Sequence, residues 1–142
     1  MNDHQLSGKW MGAYTYGNEY DEPLRGKKVT FEMELTVVNG FIKGVCTDAE
    51  STSHFEQPAT IEGLMADDQT VKFVKRYPHY WQHEMSGPRF LPKLPSQEIN
   101  YSGGFVNDGF EGEWEVVTVV IDAYGELVTY KGVGSWVMKR IS

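Results

Sequence analysis

The clearest pattern along the chain is a strict alternation of apolar and polar residues between Val29 and Val37. Every odd-numbered residue in this run is apolar, and every even-numbered residue is threonine or glutamate. Side chains alternate between the two faces of a strand, whereas a helix would scatter these glutamates around its whole circumference. The run therefore predicts a strand with one buried and one solvated face.

Seven further segments show the same period of two, which gives eight predicted strands. The predicted strands are 8–17, 28–38, 41–48, 59–66, 70–77, 98–106, 109–118 and 132–140. In strand 41–48 the direction of the side chains stays open. Either the even-numbered set with Ile42 and Cys46, or the odd-numbered set with Phe41 and Val45, could face inward.

Short and long connections alternate between these strands. The short turns are 39–40, 67–69 and 107–109, and the long loops are 18–27, 49–58, 78–97 and 119–131. In an antiparallel meander successive connections lie at opposite ends, so the short turns should share one end and the long loops the other. Closure of the sheet would remove two exposed edges. We predict an all-β fold, an eight-stranded antiparallel up-and-down β-barrel forming a single domain over residues 1–142.

Charge and cysteine content restrict the expected binding partners and the expected cellular compartment. The formal net charge of −7 and the pI near 5.0 have the wrong sign for binding phosphate backbones or anionic lipids. We therefore expect no nucleic acid and no membrane partner. Cys46 is the single cysteine, and the N-terminus has neither the cationic start nor the apolar stretch of a signal peptide. These features predict a cytoplasmic protein.

The inward-facing residues make an aromatic interior. An eight-stranded barrel is just wide enough to be filled by side chains or to hold one small ligand, and both alternatives stay open. If the barrel is hollow, an amphipathic ligand should enter between the long loops, with its apolar body deeper in the barrel. The predicted ligand-binding residues are Tyr16, Phe31, Phe73, Lys75, Tyr77, Tyr101 and Trp114.

Lys75 needs separate consideration because its neighbours on the same face, Phe73 and Tyr77, are predicted to point inward. A buried ammonium group is costly unless it is paired. Its partner could be Asp48, a tyrosine hydroxyl or an anionic group on a ligand, or a local slip could turn Lys75 outward. If Lys75 contacts the ligand, an acidic or carbonyl group is favoured.

A Gly-x-Trp triplet, Gly8-Lys9-Trp10, opens the first strand, and the last strand ends at Arg140. Barrel closure makes these strands neighbours, so we expect a cation–π contact of Arg140, or alternatively Lys139, with the Trp10 ring. This arrangement resembles the calycin superfamily, which comprises the lipocalin, fatty-acid-binding and avidin barrels. The resemblance implies a barrel that binds a small, mostly apolar molecule at its open end.

The 78–97 loop is too long for a simple connection and is a candidate lid, although its aromatic residues could equally plug the barrel mouth. His79 and His83 could share a helical face with Glu84, as zinc ligands do. Exposed loop histidines are the commoner explanation, so we expect no metal. Phosphate-binding glycine loops are also missing from the sequence, and we expect no cofactor.

Two alternatives to a binding protein remain. An isomerase or lyase could use the same cavity through Lys75, a tyrosine at the mouth or His79, although no catalytic motif is present. A barrel with a filled core could instead act as an interaction module, and the apolar run 116–121 could form a homodimer. The same run could also be covered by a loop or by an extended hairpin with Val128 and Tyr130.

Overall fold

The computed structural model describes residues 3–84, 87–121 and 123–141. Almost all regular structure is β-strand, preceded by one helical turn. The elements are α1 (Asp3–Leu6), β1 (Gly8–Tyr16), β2 (Lys28–Val38), β3 (Phe41–Asp48), β4 (Ala59–Met65), β5 (Thr70–Arg76), β6 (Tyr80–Glu84), β7 (Gly87–Leu91), β8 (Ile99–Val106), β9 (Gly109–Ile121) and β10 (Leu127–Arg140).

Eight of the strands form a closed antiparallel barrel in the order β1-β10-β9-β8-β5-β4-β3-β2. The predicted fold class is therefore confirmed. The remaining strands, β6 and β7, pair only with each other, inside the 78–97 connection. Two short turns carry positive φ at both central residues, Asn39-Gly40 and Asn107-Asp108. Such turns match the twist of the flanking strands and so close tight hairpins. We call the end with the short turns the closed end and the other the open end.

The orientation of β3 is settled by its register with β2. Cys46 lies opposite Met33, and both side chains are almost fully buried. Residues directly opposite each other in a ladder share a face, so the even-numbered residues of β3 point inward. Phe41 is 64% exposed and pairs with Leu64, which is also exposed, on the outside of the barrel.

The apolar run 116–121 lies in an extended β9–β10 hairpin. Both strands are longer than the alternation predicts, and Val120 pairs with Val128 while Thr118 pairs with Tyr130. Val117 and Val119 remain about half exposed. The hairpin is one of the arrangements that the sequence left open, and the homodimer stays a prediction. In the described residues no helix is both long and apolar enough to span a membrane.

At the closed end, Trp10 is 1% exposed and its Nε1 donates a hydrogen bond to the carbonyl of Leu6 at 2.8 Å. Arg140 lies opposite Trp10 in the β1–β10 ladder, as predicted. Its guanidinium, however, donates to the carbonyl of Gln5. In the described part of the chain the cation–π contacts belong to Lys75. The expected cation–π contact of Arg140, or alternatively Lys139, with the Trp10 ring was therefore wrong. The chain before β1 offers the Arg140 guanidinium a carbonyl acceptor, and Lys139 is exposed.

Candidate functional site

The barrel interior is filled at the closed end and open at the other. Phe31 and Phe73 are 2% and 3% exposed and belong to the packed core. The other five predicted ligand-binding residues lie at the border of a cleft of about 810 Å³ at the open end. These five residues are Tyr16, Lys75, Tyr77, Tyr101 and Trp114. The cleft therefore lies at the open end, above side chains that are themselves largely buried.

Aromatic side chains dominate the inner wall of this cleft, and the 17–27 loop and the β6–β7 hairpin form its rim. The apolar and aromatic lining residues include Tyr14, Tyr16, Tyr20, Leu24, Tyr77, Trp81, Ile99, Tyr101, Trp114 and Val116. Tyr16 meets Trp114 edge-on, with ring centroids 5.5 Å apart. Such edge-to-face packing between rings from different strands stabilises the wall.

The β6–β7 hairpin is the part of the site that sequence reasoning missed. Trp81 is 8% exposed and packs edge-on against Tyr77, with ring centroids 5.5 Å apart. On its other side Trp81 stacks on Phe90 of β7 at 5.7 Å. The 78–97 loop therefore does not simply plug the barrel. It folds over the mouth and contributes a wall to the cleft.

Lys75 forms a buried ion pair at the floor of the cleft. Its Nζ lies 2.6 Å from Oδ2 of Asp48, and both side chains are almost completely buried. The hydroxyl of Tyr77 donates to the same Oδ2 at 2.7 Å. The backbone N–H groups of Glu50 and Ser51 donate to Oδ1 at 3.0 and 2.9 Å. Of the partners that the sequence left open, the structure shows Asp48.

The pKa values of this pair follow from its surroundings. Burial alone would raise the pKa of Asp48, but the Lys75 charge and the hydrogen bonds outweigh burial and hold it below its usual value. Burial would lower the pKa of Lys75. The groups around the amine nevertheless raise it above its ordinary value; they are Cys46, Tyr77, Tyr101 and Asp48. Both groups therefore stay charged, and each neutralises the other.

Glu50, which the alternation pattern did not reveal, is the centre of a second polar cluster. Its Oε1 accepts hydrogen bonds from the hydroxyls of Tyr14 at 2.5 Å and Tyr16 at 2.6 Å. Its Oε2 lies 3.0 Å from Nε2 of His83 and 3.9 Å from Nζ of Lys27. The Tyr16 hydroxyl also lies 2.9 Å from the same nitrogen of His83. Glu50 thus joins β1 to the β6–β7 hairpin at one side of the cleft.

The two histidines that were considered as zinc ligands, His79 and His83, lie in different surroundings. His83 contacts the Glu50 cluster, whereas the His79 ring packs on Phe55 at 4.6 Å. Both flank or belong to a β-hairpin, so the helical face that would have aligned them with Glu84 does not form. Throughout residues 3–84, 87–121 and 123–141, no group of three or more potential ligands is placed to hold a metal ion.

The acid stability of the protein should depend on Glu50. Burial would raise its pKa, but the hydrogen bonds from His83, Tyr14 and Tyr16 lower it below its ordinary value. A carboxylate with a lowered pKa in the folded state stabilises the protein above its unfolded pKa, and this contribution is lost as the pH falls through the folded pKa. The free energy of unfolding should therefore drop below about pH 4.

Urea titrations between neutral and acidic pH measure this effect. Glu50→Gln should be less stable than the wild type at pH 7, and the difference should shrink as the pH falls. Asp48 has a lowered pKa as well, so some acid dependence should persist in the variant. Parallel pH profiles for both proteins would show that Glu50 titrates alike in the folded and unfolded states.

An eight-stranded closed antiparallel barrel fits a calycin-like fold in general. No protein-family model matches the chain, and neither a curated protein nor a solved structure matches it. The fold and the contacts of the cleft are therefore the basis on which its function is argued.

Proposed function

We propose that this chain is a small-molecule-binding barrel of the calycin type, with its ligand in the cleft beneath the β6–β7 hairpin. The cleft of about 810 Å³ at the open end is the observation that carries the proposal. Ligand sites typically measure about 300–1,000 Å³, with largely apolar and aromatic walls and a few polar groups. The aromatic wall suits an apolar ligand body, and the Glu50 cluster and Trp114 supply polar groups.

The role of Lys75 in this proposal differs from a simple anion anchor. Its ammonium is already paired with Asp48 and lies over the rings of Tyr14 and Tyr77 at 4.8 Å. A ligand carboxylate would have to compete with Asp48 for a charge that is already neutralised. Lys75 remains a predicted contact at the floor of the cleft. We expect its main role to be structural, through its contacts with Tyr14 and Tyr77.

A second candidate function is an isomerase or lyase reaction in the same cleft. The Tyr16 hydroxyl lies within hydrogen-bonding distance of both Glu50 and His83, so three groups that can exchange protons lie together at the cleft. Burial and the neighbouring Glu50 raise the pKa of Tyr16, so its hydroxyl stays protonated. Lys75 is held by Asp48, and His79 packs on Phe55, so neither suits this role. Incubation with a ligand retained from purification would test the reaction. Product that forms with the wild type and not with Tyr16→Phe would support it.

Filling the cleft should abolish binding. Val116 lines the cleft, whereas its neighbour Val117 is 48% exposed. We expect Val116→Trp to prevent binding of the dyes Prodan and anilinonaphthalene sulfonate, because the indole would occupy the ligand's space. Val117→Trp adds the same group outside and should bind as the wild type does. The fluorescence emission of the dye during titration measures binding by both variants.

Two results would count against the proposal. Equal binding by Val116→Trp and Val117→Trp would place the dye site elsewhere on the protein. Absence of binding for both dyes, together with a native mass spectrum that shows only the bare chain, would remove the support for a ligand site.

A further inference from the structure

One buried donor at the cleft lacks an acceptor. In the described part of the chain, the indole Nε1 of Trp114 is the only buried side-chain nitrogen or oxygen without a hydrogen-bond partner. Trp114 is 5% exposed and lines the cleft. Buried polar groups in native proteins are almost always paired, and an unpaired donor is costly. The missing acceptor therefore calls for an explanation.

Two other tryptophans of the chain show that the fold can satisfy a buried indole. Nε1 of Trp10 donates to the Leu6 carbonyl at 2.8 Å. Nε1 of Trp136 donates to the carbonyls of Ser102 and Glu113, both at 3.1 Å. Trp10, Trp114 and Trp136 each end a Gly-x-Trp triplet, at 8–10, 112–114 and 134–136. Trp10 and Trp136 belong to the filled core, whereas the indole without an acceptor lines the cleft. The contrast points to an acceptor that the cleft receives from outside the chain.

Three tyrosine rings surround the Trp114 indole. Tyr14 and Tyr16 contact the indole from β1, and their hydroxyls are bound to Glu50. Tyr20 contacts it from the 17–27 loop, with ring centroids 6.1 Å apart. Nε1 is shielded from solvent in this arrangement. Because Tyr20 is only half-buried and lies on a loop, its side chain is the one that can move aside for a ligand atom.

The charges around the cleft disfavour an anionic acceptor. The charge of Lys75 is neutralised by Asp48, and Glu50 adds a negative charge at the wall. The lining also includes Asp21, Glu22 and Glu84. The nearby cations are Lys27, which lies 3.9 Å from Glu50, and Arg89, which lies 3.6 Å from Glu84. A carboxylate entering this cleft would meet an excess of negative charge and would lose its own hydration. The acceptor is therefore better supplied by an uncharged oxygen.

We propose that the ligand is an uncharged, largely aromatic compound whose carbonyl oxygen accepts a hydrogen bond from Nε1 of Trp114. Ketones, amides and lactones share this chemistry, and fatty acids do not. The inference rests on the proposed function, since it assigns the ligand class of the same cleft. Of the acidic and carbonyl groups that the sequence favoured for a contact with Lys75, it keeps the carbonyl group and moves the contact to Trp114.

Prodan, an uncharged naphthyl ketone, and anilinonaphthalene sulfonate, an anion of comparable ring size, are suitable probes. We expect Prodan to bind more tightly than the anion. In proton–nitrogen correlation spectra of the wild type, Prodan should move the Trp114 indole signal downfield, as expected when an N–H gains an acceptor. The indole signals of Trp10 and Trp136 should move less, because they already have acceptors.

Trp114→Phe removes the N–H and keeps an aromatic ring, and its missing signal assigns the Trp114 resonance. We expect this variant to lose roughly 3- to 10-fold in affinity for Prodan, as for one neutral hydrogen bond. The matched variant Trp81→Phe changes the other tryptophan of the cleft and keeps the Trp114 N–H, so it should lose less.

The outcomes separate this inference from the proposed function. Prodan binding in the cleft with an unmoved Trp114 signal would overturn the carbonyl contact and leave the proposed function intact. Tighter binding of anilinonaphthalene sulfonate than of Prodan would also overturn the carbonyl contact and leave the proposed function intact. If neither probe binds in the cleft, the carbonyl ligand class is rejected, and the native mass spectrum then decides the proposed function. Since the shift of the Trp114 indole signal is measured on the wild type, the test remains valid even if Trp114→Phe folds poorly.

Discussion

Trp10→Ala should lower the free energy of unfolding by about 3–5 kcal/mol, the usual cost of truncating a large aromatic side chain in a core. Trp10 is 1% exposed, packs edge-on against Phe110 and bonds to the Leu6 carbonyl. The substitution thus leaves a cavity at the closed end and an unpaired carbonyl. Urea denaturation monitored by circular dichroism measures the change.

Arg140→Ala is the matched control at the same point of the β1–β10 ladder. Arg140 is exposed, and its guanidinium bonds to the Gln5 carbonyl. Its loss should cost about 1 kcal/mol or less. A smaller effect for Trp10→Ala than for Arg140→Ala would contradict the packing described for the closed end.

Asp48→Ala should destabilise the protein by about 3–5 kcal/mol, because it leaves the Lys75 ammonium buried without its counter-charge. The pair is separated by 2.6 Å and almost fully buried. Two backbone N–H groups and the Tyr77 hydroxyl also lose their acceptor. The double variant Asp48→Ala/Lys75→Met should recover part of this loss, because it removes both charges.

An exposed ion pair provides the comparison for this experiment. Arg76 and Glu98 lie 3.1 Å apart at the surface, and Glu98→Ala should cost at most about 1 kcal/mol. Equilibrium unfolding of the wild type, the two Asp48 variants and Glu98→Ala measures how much each ion pair contributes to stability. If the double variant were no more stable than Asp48→Ala alone, the cost would come from lost packing rather than from the uncompensated charge.

The barrel could be predicted from the sequence because its determinants are local. Alternation from Val29 to Val37 fixes the buried face of β2, and the alternation of short and long connections fixes the topology. Strand β3 could not be oriented in this way, since Phe41 and Val45 are as apolar as Ile42 and Cys46. Its orientation depends on the register with β2, which is a non-local property.

The site was only partly predictable for the same reason. Alternation within β5 placed Lys75 and Tyr77 inward, and both lie at the cleft. Glu50 follows β3 in a loop, where no period applies, and its partners are 34 and 36 residues away in β1. The β6–β7 hairpin has strands of five residues, which are too short to show a convincing period beside Gly87 and Pro88. Contacts of this kind appear only when the chain is folded.

A crystal structure of the protein with bound Prodan would show whether the cleft holds the ligand. We expect electron density for the probe between the barrel wall and the β6–β7 hairpin. The density should contact Tyr16 and Trp81, and the carbonyl oxygen should lie within hydrogen-bonding distance of Nε1 of Trp114. A probe bound on the outer face of the barrel, with the cleft filled by the protein's own side chains, would contradict it.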